Sequence, residues 1–162
     1  MNERHADRGL EALPHILALV WPLHEREATL RQALHTRLLD RLGSAWGRGR
    51  SFYQAGPFLA DSHVSAGWQD ARCPRDLAIA FLGALDEKSQ ALSGKLFQDL
   101  DVAVAQTVLQ QTLETEAPRS DAAIGFGVLR HLIYDALFVD SWEHPALGWD
   151  WLDFGGRQSG RA

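Results

Sequence analysis

The chain has little of what most catalytic, zinc-binding and nucleic-acid-binding sites require. Its 162 residues include one cysteine, Cys73, so no disulfide can form within the chain and no cysteine pair can hold zinc or attach a haem. A formal charge of -5 leaves no basic stripe for a phosphate backbone. The longest apolar run, 77–85, falls well short of the roughly 20 residues that span a bilayer. The sequence therefore predicts a protein that binds no nucleic acid and has no transmembrane helix.

Familiar catalytic motifs are also missing. Gly125, Phe126 and Gly127 begin like a dinucleotide fingerprint, but Arg130 stands where the third glycine belongs and no strand is predicted before it. The two glycines instead indicate a helix start or a close approach between helices. No Gly-x-Ser-x-Gly elbow occurs, and we interpret Cys73 as a small, half-buried or inert thiol. The sequence predicts that this chain alone is not an enzyme and holds no metal or cofactor.

Two histidines, each close in sequence to an aspartate, leave a catalytic alternative open. His131 and Asp135 lie one helical turn apart, a spacing that permits proton sharing or metal ligation, although a hydrogen-bonded surface pair is the commoner explanation. Asp61 and His63 could form an acid–base pair, but they lie on a stretch without clear periodicity. The alternative is a small helical enzyme or metalloprotein that uses His131, Asp135 and His63.

Helical periodicity is what the chain has in abundance. The predicted helices cover 10–20, 25–42, part of 57–67, 74–85, a segment that restarts at Asp86 or Ser89, 101–115 and 122–139. The clearest is 25–42, where leucines recur every four residues from Leu30 to Leu42 and a glycine follows. We expect an all-α fold in which residues 1–156 form a single helical bundle of five to seven helices and 157–162 a flexible polar tail.

Several local features of these helices can be predicted as well. Pro74 suits the first position of a helix, and Ser120 with Asp121 suits the cap of the last one. The helix 101–115 has apolar residues that we expect to form its buried face: Val102, Val104, Val108, Leu109 and Leu113. The last helix carries the apolar series Phe126, Leu129, Ile133 and Leu137 on one side, with Leu132 and Tyr134 beside it.

A long aromatic loop is expected after the last helix. Three of the six tryptophans in the chain lie within ten residues of one another, at Trp142, Trp149 and Trp151. Tryptophans on a loop either seal the end of a core or anchor the chain to another surface. The candidate partner-binding residues are Trp142, His144, Pro145, Trp149, Trp151 and Phe154.

The second half of the chain resembles a known family. The segments LFQDLDVAVAQTVLQQTLE, FGVLRHLIYDALF and HPALGWDWLDFGG, between residues 96 and 156, resemble the small (gamma) subunit of FAD-dependent sugar and polyol dehydrogenases, of the gluconate 2-dehydrogenase subunit 3 type. The segment ATLRQALHTRLLDRL in helix 25–42 is similar to the first helix of related small subunits of glucose and sorbitol dehydrogenases. The Gly-Gly-Asn element that the family usually has before its Gly-Trp pair is replaced here by 143–147.

The resemblance implies an accessory subunit without catalytic residues. Such a subunit binds, stabilises and helps to fold or export a large flavoprotein dehydrogenase subunit, often together with a cytochrome subunit, and the FAD belongs to the partner. Residues 1–20 contain no twin-arginine signal, which predicts a cytoplasmic location, whereas the resemblance implies a periplasmic one if a partner carries the chain across. A cytoplasmic chaperone that reads the export signals of redox enzymes is a further alternative.

Overall fold

The computed structural model describes residues 10–20, 28–51, 56–58, 70–117, 120–139 and 147. Within these ranges the chain forms five α-helices and one 3₁₀ turn and contains no strand, which confirms the all-helical fold. The helices are α1 (Leu13–Val20), α2 (Ala28–Gly43), α3 (Pro74–Ser93), α4 (Val102–Thr115) and α5 (Asp121–Phe138), and the 3₁₀ turn is Phe97–Asp99. None of these helices is long and apolar enough to cross a membrane. The predicted tail 157–162 and most of the short helix predicted in 57–67 lie outside the described residues.

Helix α3 is the centre of the bundle, and its ends follow from local chemistry. Cys73 is its N-cap residue, and Pro74 opens the helix, as predicted, because the first turn needs no N–H from that position. Asp76 in the first turn complements the helix dipole. Gly94 ends the helix with a φ of 70°, a left-handed conformation that glycine adopts without strain, and its N–H bonds the carbonyl of Gln90.

The predicted restart of a helix at Asp86 or Ser89 is wrong, because α3 runs through both residues without a break. Their side chains hold the following turn instead. Asp86 Oδ1 accepts the backbone N–H of Phe97 at 2.9 Å, and Ser89 Oγ donates to the carbonyl of Lys95 at 2.7 Å. In the sequence these polar residues resemble helix caps. In the structure their side chains bond to backbone groups six and eleven residues further along the chain, and Phe97 is fully buried.

Helix α5 packs on α3 through the most extensive helix–helix interface in the described part of the chain. Its N-cap is Ser120, as predicted, and the Ser120 hydroxyl accepts the N–H of Ala123 at 3.1 Å. Gly125 lies directly against α3, where an added Cβ would stand 2.0 Å from the carbonyl oxygen of Leu77. Gly127 faces open space. The close approach expected of the Gly125–Gly127 pair therefore belongs to Gly125 alone.

The other core helices bury the leucines that the sequence marks. Helix α2 buries Leu34, Leu38 and Leu42, with Leu30 half-buried, which confirms its predicted stripe. Helix α1 starts at Leu13, later than the predicted 10–20, because Leu10 accepts the Leu13 N–H in a preceding turn. It packs against α2 and α4, while α3 also contacts α2 and α4.

The predicted buried face of α4 is partly wrong. Its buried residues are Ala105, Val108 and Thr112, whereas Val102 (58% exposed), Val104 (41%) and Leu113 (37%) face solvent. Thr112 enters the core because its hydroxyl donates to the Val108 carbonyl at 2.8 Å, one turn back, and so needs no other partner. A prediction based on the valines and leucines alone missed part of the buried face, because small residues such as Ala105 allow α4 to pack more closely on the core.

An ionic cluster ties the amino-terminal ends of α3 and α5 together. The Arg72 Nε donates to Asp70 Oδ1 at 2.8 Å, and the same guanidinium forms an ion pair with Asp121 in the first turn of α5. The bond from Arg72 lowers the pKa of Asp70 from its ordinary value. The amino-terminal ends of α3 and α5, which are the positive ends of the helix dipoles, are therefore joined by an ionic bridge that includes the carboxylates of Asp70 and Asp121.

Substitution of the two glycines of α5 by alanine has opposite expected effects. Gly125→Ala should destabilise the protein by about 2 kcal/mol or more, because its methyl group overlaps the α3 backbone. Gly127→Ala should stabilise it by about 0.5 to 1 kcal/mol, because alanine is the better helix former and the space is open. Urea unfolding of both variants measures the difference. Equal effects would contradict the close α3–α5 contact.

His15 predicts a pH dependence of stability. Its Nε2 is buried and has no hydrogen-bond partner, and its ring meets the Phe97 ring edge-on at 5.4 Å. Burial lowers the pKa of His15, so the unfolded chain takes up a proton more readily than the folded one. Stability should therefore fall as the pH drops below about 6.5, the ordinary histidine value.

The substitution His15→Leu should make that loss smaller. The measurement is the free energy of unfolding in urea at a series of pH values between about 7.5 and 5 for both proteins. The remaining histidines are common to both, so the difference between the two curves isolates His15. Parallel curves would show that burial of His15 does not shift its titration.

Candidate partner-binding site

The six predicted partner-binding residues, Trp142, His144, Pro145, Trp149, Trp151 and Phe154, lie outside the described residues. One residue of the same stretch, Leu147, is described. Its side chain is half-buried against the core, and its backbone N–H donates to the carbonyl of Ala136 at 3.0 Å. The chain therefore returns at Leu147 to the carboxyl-terminal end of α5.

The Ala136 carbonyl joins three parts of the chain. Ala136 lies in the last turn of α5, where carbonyls lack partners within the helix. Besides Leu147, this oxygen accepts Nη1 of Arg37 from α2 at 3.3 Å. A guanidinium at the negative end of a helix dipole is favourable, so the bond suits both partners. The contact fixes the position of α2 beside the end of α5.

A groove of about 1240 Å³ lies between α2 and α5 at this position. Its α2 side includes Thr29, Gln32, Ala33, Thr36 and Asp40, and its α5 side includes Leu132, Asp135 and Ala136. Exposed Val139 borders it just after α5 ends. The groove thus adjoins the point where Leu147 contacts the end of α5.

Small side chains beside the α2 core stripe account for the space. The leucines at 34, 38 and 42 are buried in the bundle, whereas the neighbouring Ala33 and Thr36, which line the groove, have short side chains. On α5, Ala136 is equally short. The exposed residues Gln32, Thr36 and Asp40 form one side of the groove.

Charges of both signs line the groove. Arg37 and Arg41 lie one turn apart on α2, and Asp40 and Asp135 also reach the groove. The Arg41 guanidinium carbon lies 4.8 Å from the centre of the Trp46 ring, a cation–π distance that restricts its side chain. A partner in this groove would contact apolar side chains that lie between charged side chains.

The outer surface of α5 continues from the groove. His131 Nε2 lies 3.4 Å from Asp135 Oδ2, and both side chains are exposed, at 69% and 42%. Tyr134, also exposed, stacks at a tilt on Phe138 with 4.9 Å between ring centres. His131, Tyr134 and Asp135 border a shallow depression of about 270 Å³ above Gly127. Asp135 lines both the groove and the depression, so the His131–Asp135 contact lies on the solvent-exposed surface next to the groove.

The remaining candidates for metal binding or catalysis are the scattered histidines and acidic residues, and Cys73. Among the described residues no group of three or more histidine, cysteine, aspartate or glutamate side chains could hold a metal ion. Asp61 and His63 lie outside those residues. Cys73 is buried, more so than predicted, and burial raises the pKa of its thiol, which keeps it protonated and unreactive.

The groove residues were not predicted from sequence. The available signal was the run of short side chains on α2, Ala28, Thr29, Ala33 and Thr36, which flanks large leucines at helical spacing. Short residues beside a core stripe are equally compatible with a close helix contact, as Gly125 shows on α5. Only the position of the neighbouring helix distinguishes the two.

Comparison of the chain with protein-family models, curated proteins and solved structures gave no match.

Proposed function

We propose that the chain is a non-catalytic subunit that binds and stabilises a large FAD-dependent sugar or alcohol dehydrogenase. Two observations support the proposal. The sequence between 96 and 156 resembles small subunits of such enzymes, and the groove between α2 and α5 offers a surface for a protein partner. The groove is the observation that carries the proposal, because the resemblance alone specifies no surface.

The size of the groove favours a polypeptide over a small molecule. Small-ligand sites have volumes of about 300 to 1,000 Å³ and enclose most of the ligand. At about 1240 Å³, and bordered by two helices, the groove is large enough for a helix or an extended segment of another protein. An obligate interface buries on the order of 2,000 Å² or more, so the partner would also cover neighbouring surface.

The chemistry of the groove and its border also suits a protein partner. Asp40, Arg41 and Asp135 can form charge pairs that set the partner's orientation, and the short apolar residues between them allow close contact. Exposed Tyr134 on the adjoining surface is of the type that is enriched in protein interfaces. In this proposal the FAD and any cytochrome haem are held by partner subunits.

Filling the groove should release the partner. Ala33→Trp places a large ring between α2 and α5, whereas the matched variant Ala91→Trp places one on an exposed position of α3 that does not line the groove. Each tagged chain is purified under gentle conditions from the native host, and bound flavin is measured by its absorbance. We expect Ala33→Trp to lower the recovered flavoprotein by about tenfold or more, and Ala91→Trp to leave it unchanged.

Circular dichroism and thermal unfolding of both variants show whether they are folded. If the unsubstituted chain elutes alone and colourless, the proposed function is wrong. If Ala33→Trp is folded and retains the yellow partner, the groove is not the binding surface.

The aromatic stretch that follows α5 provides a second prediction. Trp149→Ala and Trp151→Ala, singly and together, should reduce co-purification of the flavoprotein, because buried tryptophans dominate many interfaces. Leu92→Ala is the control, since Leu92 is an exposed apolar residue of α3 that does not line the groove. Unchanged recovery with the double variant would show that these tryptophans are not partner anchors.

A chaperone that binds the export signals of redox enzymes is the second candidate. The same groove supports it, because an apolar signal-peptide helix could lie between α2 and α5. The two functions differ in the lifetime of the complex. A permanent complex with a flavoprotein supports the subunit, and brief binding to an isolated signal peptide supports the chaperone.

A further inference from the structure

A segment of the same chain begins at the edge of the groove between α2 and α5. We propose that residues 148–154, with the sequence GWDWLDF, occupy this groove in the isolated chain and that the protein partner takes their place. The inference deepens the proposed function, and only the exchange with the partner rests on that function.

A shared hydrogen-bond acceptor fixes the point at which this segment starts. The Leu147 N–H and the Arg37 Nη1 both donate to the Ala136 carbonyl oxygen, at 3.0 and 3.3 Å. Arg37 and Ala136 line the groove, and the Leu147 side chain is half-buried against the core. Gly148 is bonded to Leu147, so the segment starts beside the groove wall.

The segment is long enough to reach either end of the groove. The α2 side of the groove extends from Ala28 to Ser44. Arg37, beside the Leu147 contact, is about 14 Å of helix from Ala28 and about 10 Å from Ser44. An extended chain covers about 3.3 Å per residue, so roughly four to five residues after Leu147 reach either end.

The apolar side chains of the segment suit the space in the groove. The groove contains short apolar residues, Ala33 on α2 and Ala136 on α5, which leave room for large rings. Trp149 and Trp151 fall on the same side of an extended chain, because successive side chains alternate. Both rings can therefore enter the groove together, and burial of their apolar surface is the main stabilising term.

Charge determines where the first carboxylate of the segment lies. Asp150 is three residues beyond Leu147, within about 10 Å of extended chain. Arg37 is beside the Leu147 contact and Arg41 is one turn further along α2, so both arginines attract this carboxylate. The groove residues Asp40 and Asp135 repel it. We therefore expect Asp150 beside the two arginines.

Covalent attachment favours this occupant over a separate molecule. A segment joined to its site by a short linker has an effective concentration of about 1 mM. If the unattached segment bound with a dissociation constant of about 0.1 mM, the groove would be filled in about nine chains of ten. A protein that needs the open groove is then bound about tenfold more weakly. The segment thus excludes weakly matched proteins, and its displacement exposes the two tryptophans as anchors for the partner.

Thiol labelling of the isolated full chain tests the occupant. Cys73→Ser is present in every variant, because serine suits an N-cap position, and Ala33→Cys places one thiol in the groove. Replacement of Trp149 and Trp151 by alanine should make this thiol react about tenfold faster with a soluble disulfide reagent. The control thiol, Leu92→Cys, lies on an exposed part of α3 outside the groove and should react at the same rate with and without the tryptophans.

The labelling rate of Ala33→Cys decides the proposal. A rate that is the same with and without the tryptophans overturns it. A rate that falls as the chain concentration rises from about 5 to 200 µM also overturns it, because the segment then comes from a second copy. Circular dichroism shows which variants are folded. If the double variant is not, Trp149→Ala and Trp151→Ala are used singly, and each should speed labelling by a smaller factor.

A disulfide between Ala33→Cys and Leu152→Cys tests the exchange with the partner. The oxidised chain, in which the segment is held in the groove, should recover about tenfold less flavoprotein than the same chain after reduction. Equal recovery would show that the partner does not displace the segment. If the unsubstituted chain recovers no flavoprotein, the proposed function is wrong, while the labelling rates still decide the occupant. If Ala33→Trp loses the flavoprotein but the labelling rates are equal, the proposed function stands and this inference is wrong.

Discussion

The close approach of α5 to α3 at Gly125 is the constraint on which the rest of the described fold depends. No side chain separates the two helices there, because a Cβ would stand 2.0 Å from the Leu77 oxygen. The approach brings Phe81 against Phe126, with 5.3 Å between ring centres, and lets α5 bury Leu129, Ile133 and Leu137 along its length. Its carboxyl-terminal end is thereby placed where Arg37 of α2 and Leu147 both reach the Ala136 carbonyl. The groove is the space left between α2 and α5 once these contacts are made.

The existence of the helices and the starts of α3 and α5 were predictable from sequence because they depend on neighbouring residues. Ser120 caps α5 and Pro74 opens α3 by bonds or constraints that act within one turn. Features that depend on a distant segment were not predictable. Asp86 resembles a helix start, but its partner is the N–H of Phe97, eleven residues on. The roles of Gly125 and Gly127 are likewise indistinguishable until α3 is in place.

A helical pattern predicted the correct side of α2 but only part of the buried side of α4. In α2 the large residues are leucines at regular spacing, and burial of any other face would expose them. In α4, three valines and two leucines occupy more than one side, and the buried side is the one with Ala105, Val108 and Thr112. Close packing on α3 and α1 outweighs the exposure of Val102, at about 25 cal/mol for each Å² of apolar surface. The candidate aromatic anchors follow α5, so their roles depend on contacts that no local pattern contains.

The groove and the outward side of α4 differ in their chemistry. The groove has charges of both signs around short apolar residues, and charge pairs of this kind reject a partner whose charges do not match. The α4 residues from Val102 to Leu113 are uncharged, and the charges that flank them, Asp101 and Glu114, are both negative. A partner that is selected by charge pairs of both signs is therefore better matched by the groove than by this side of α4.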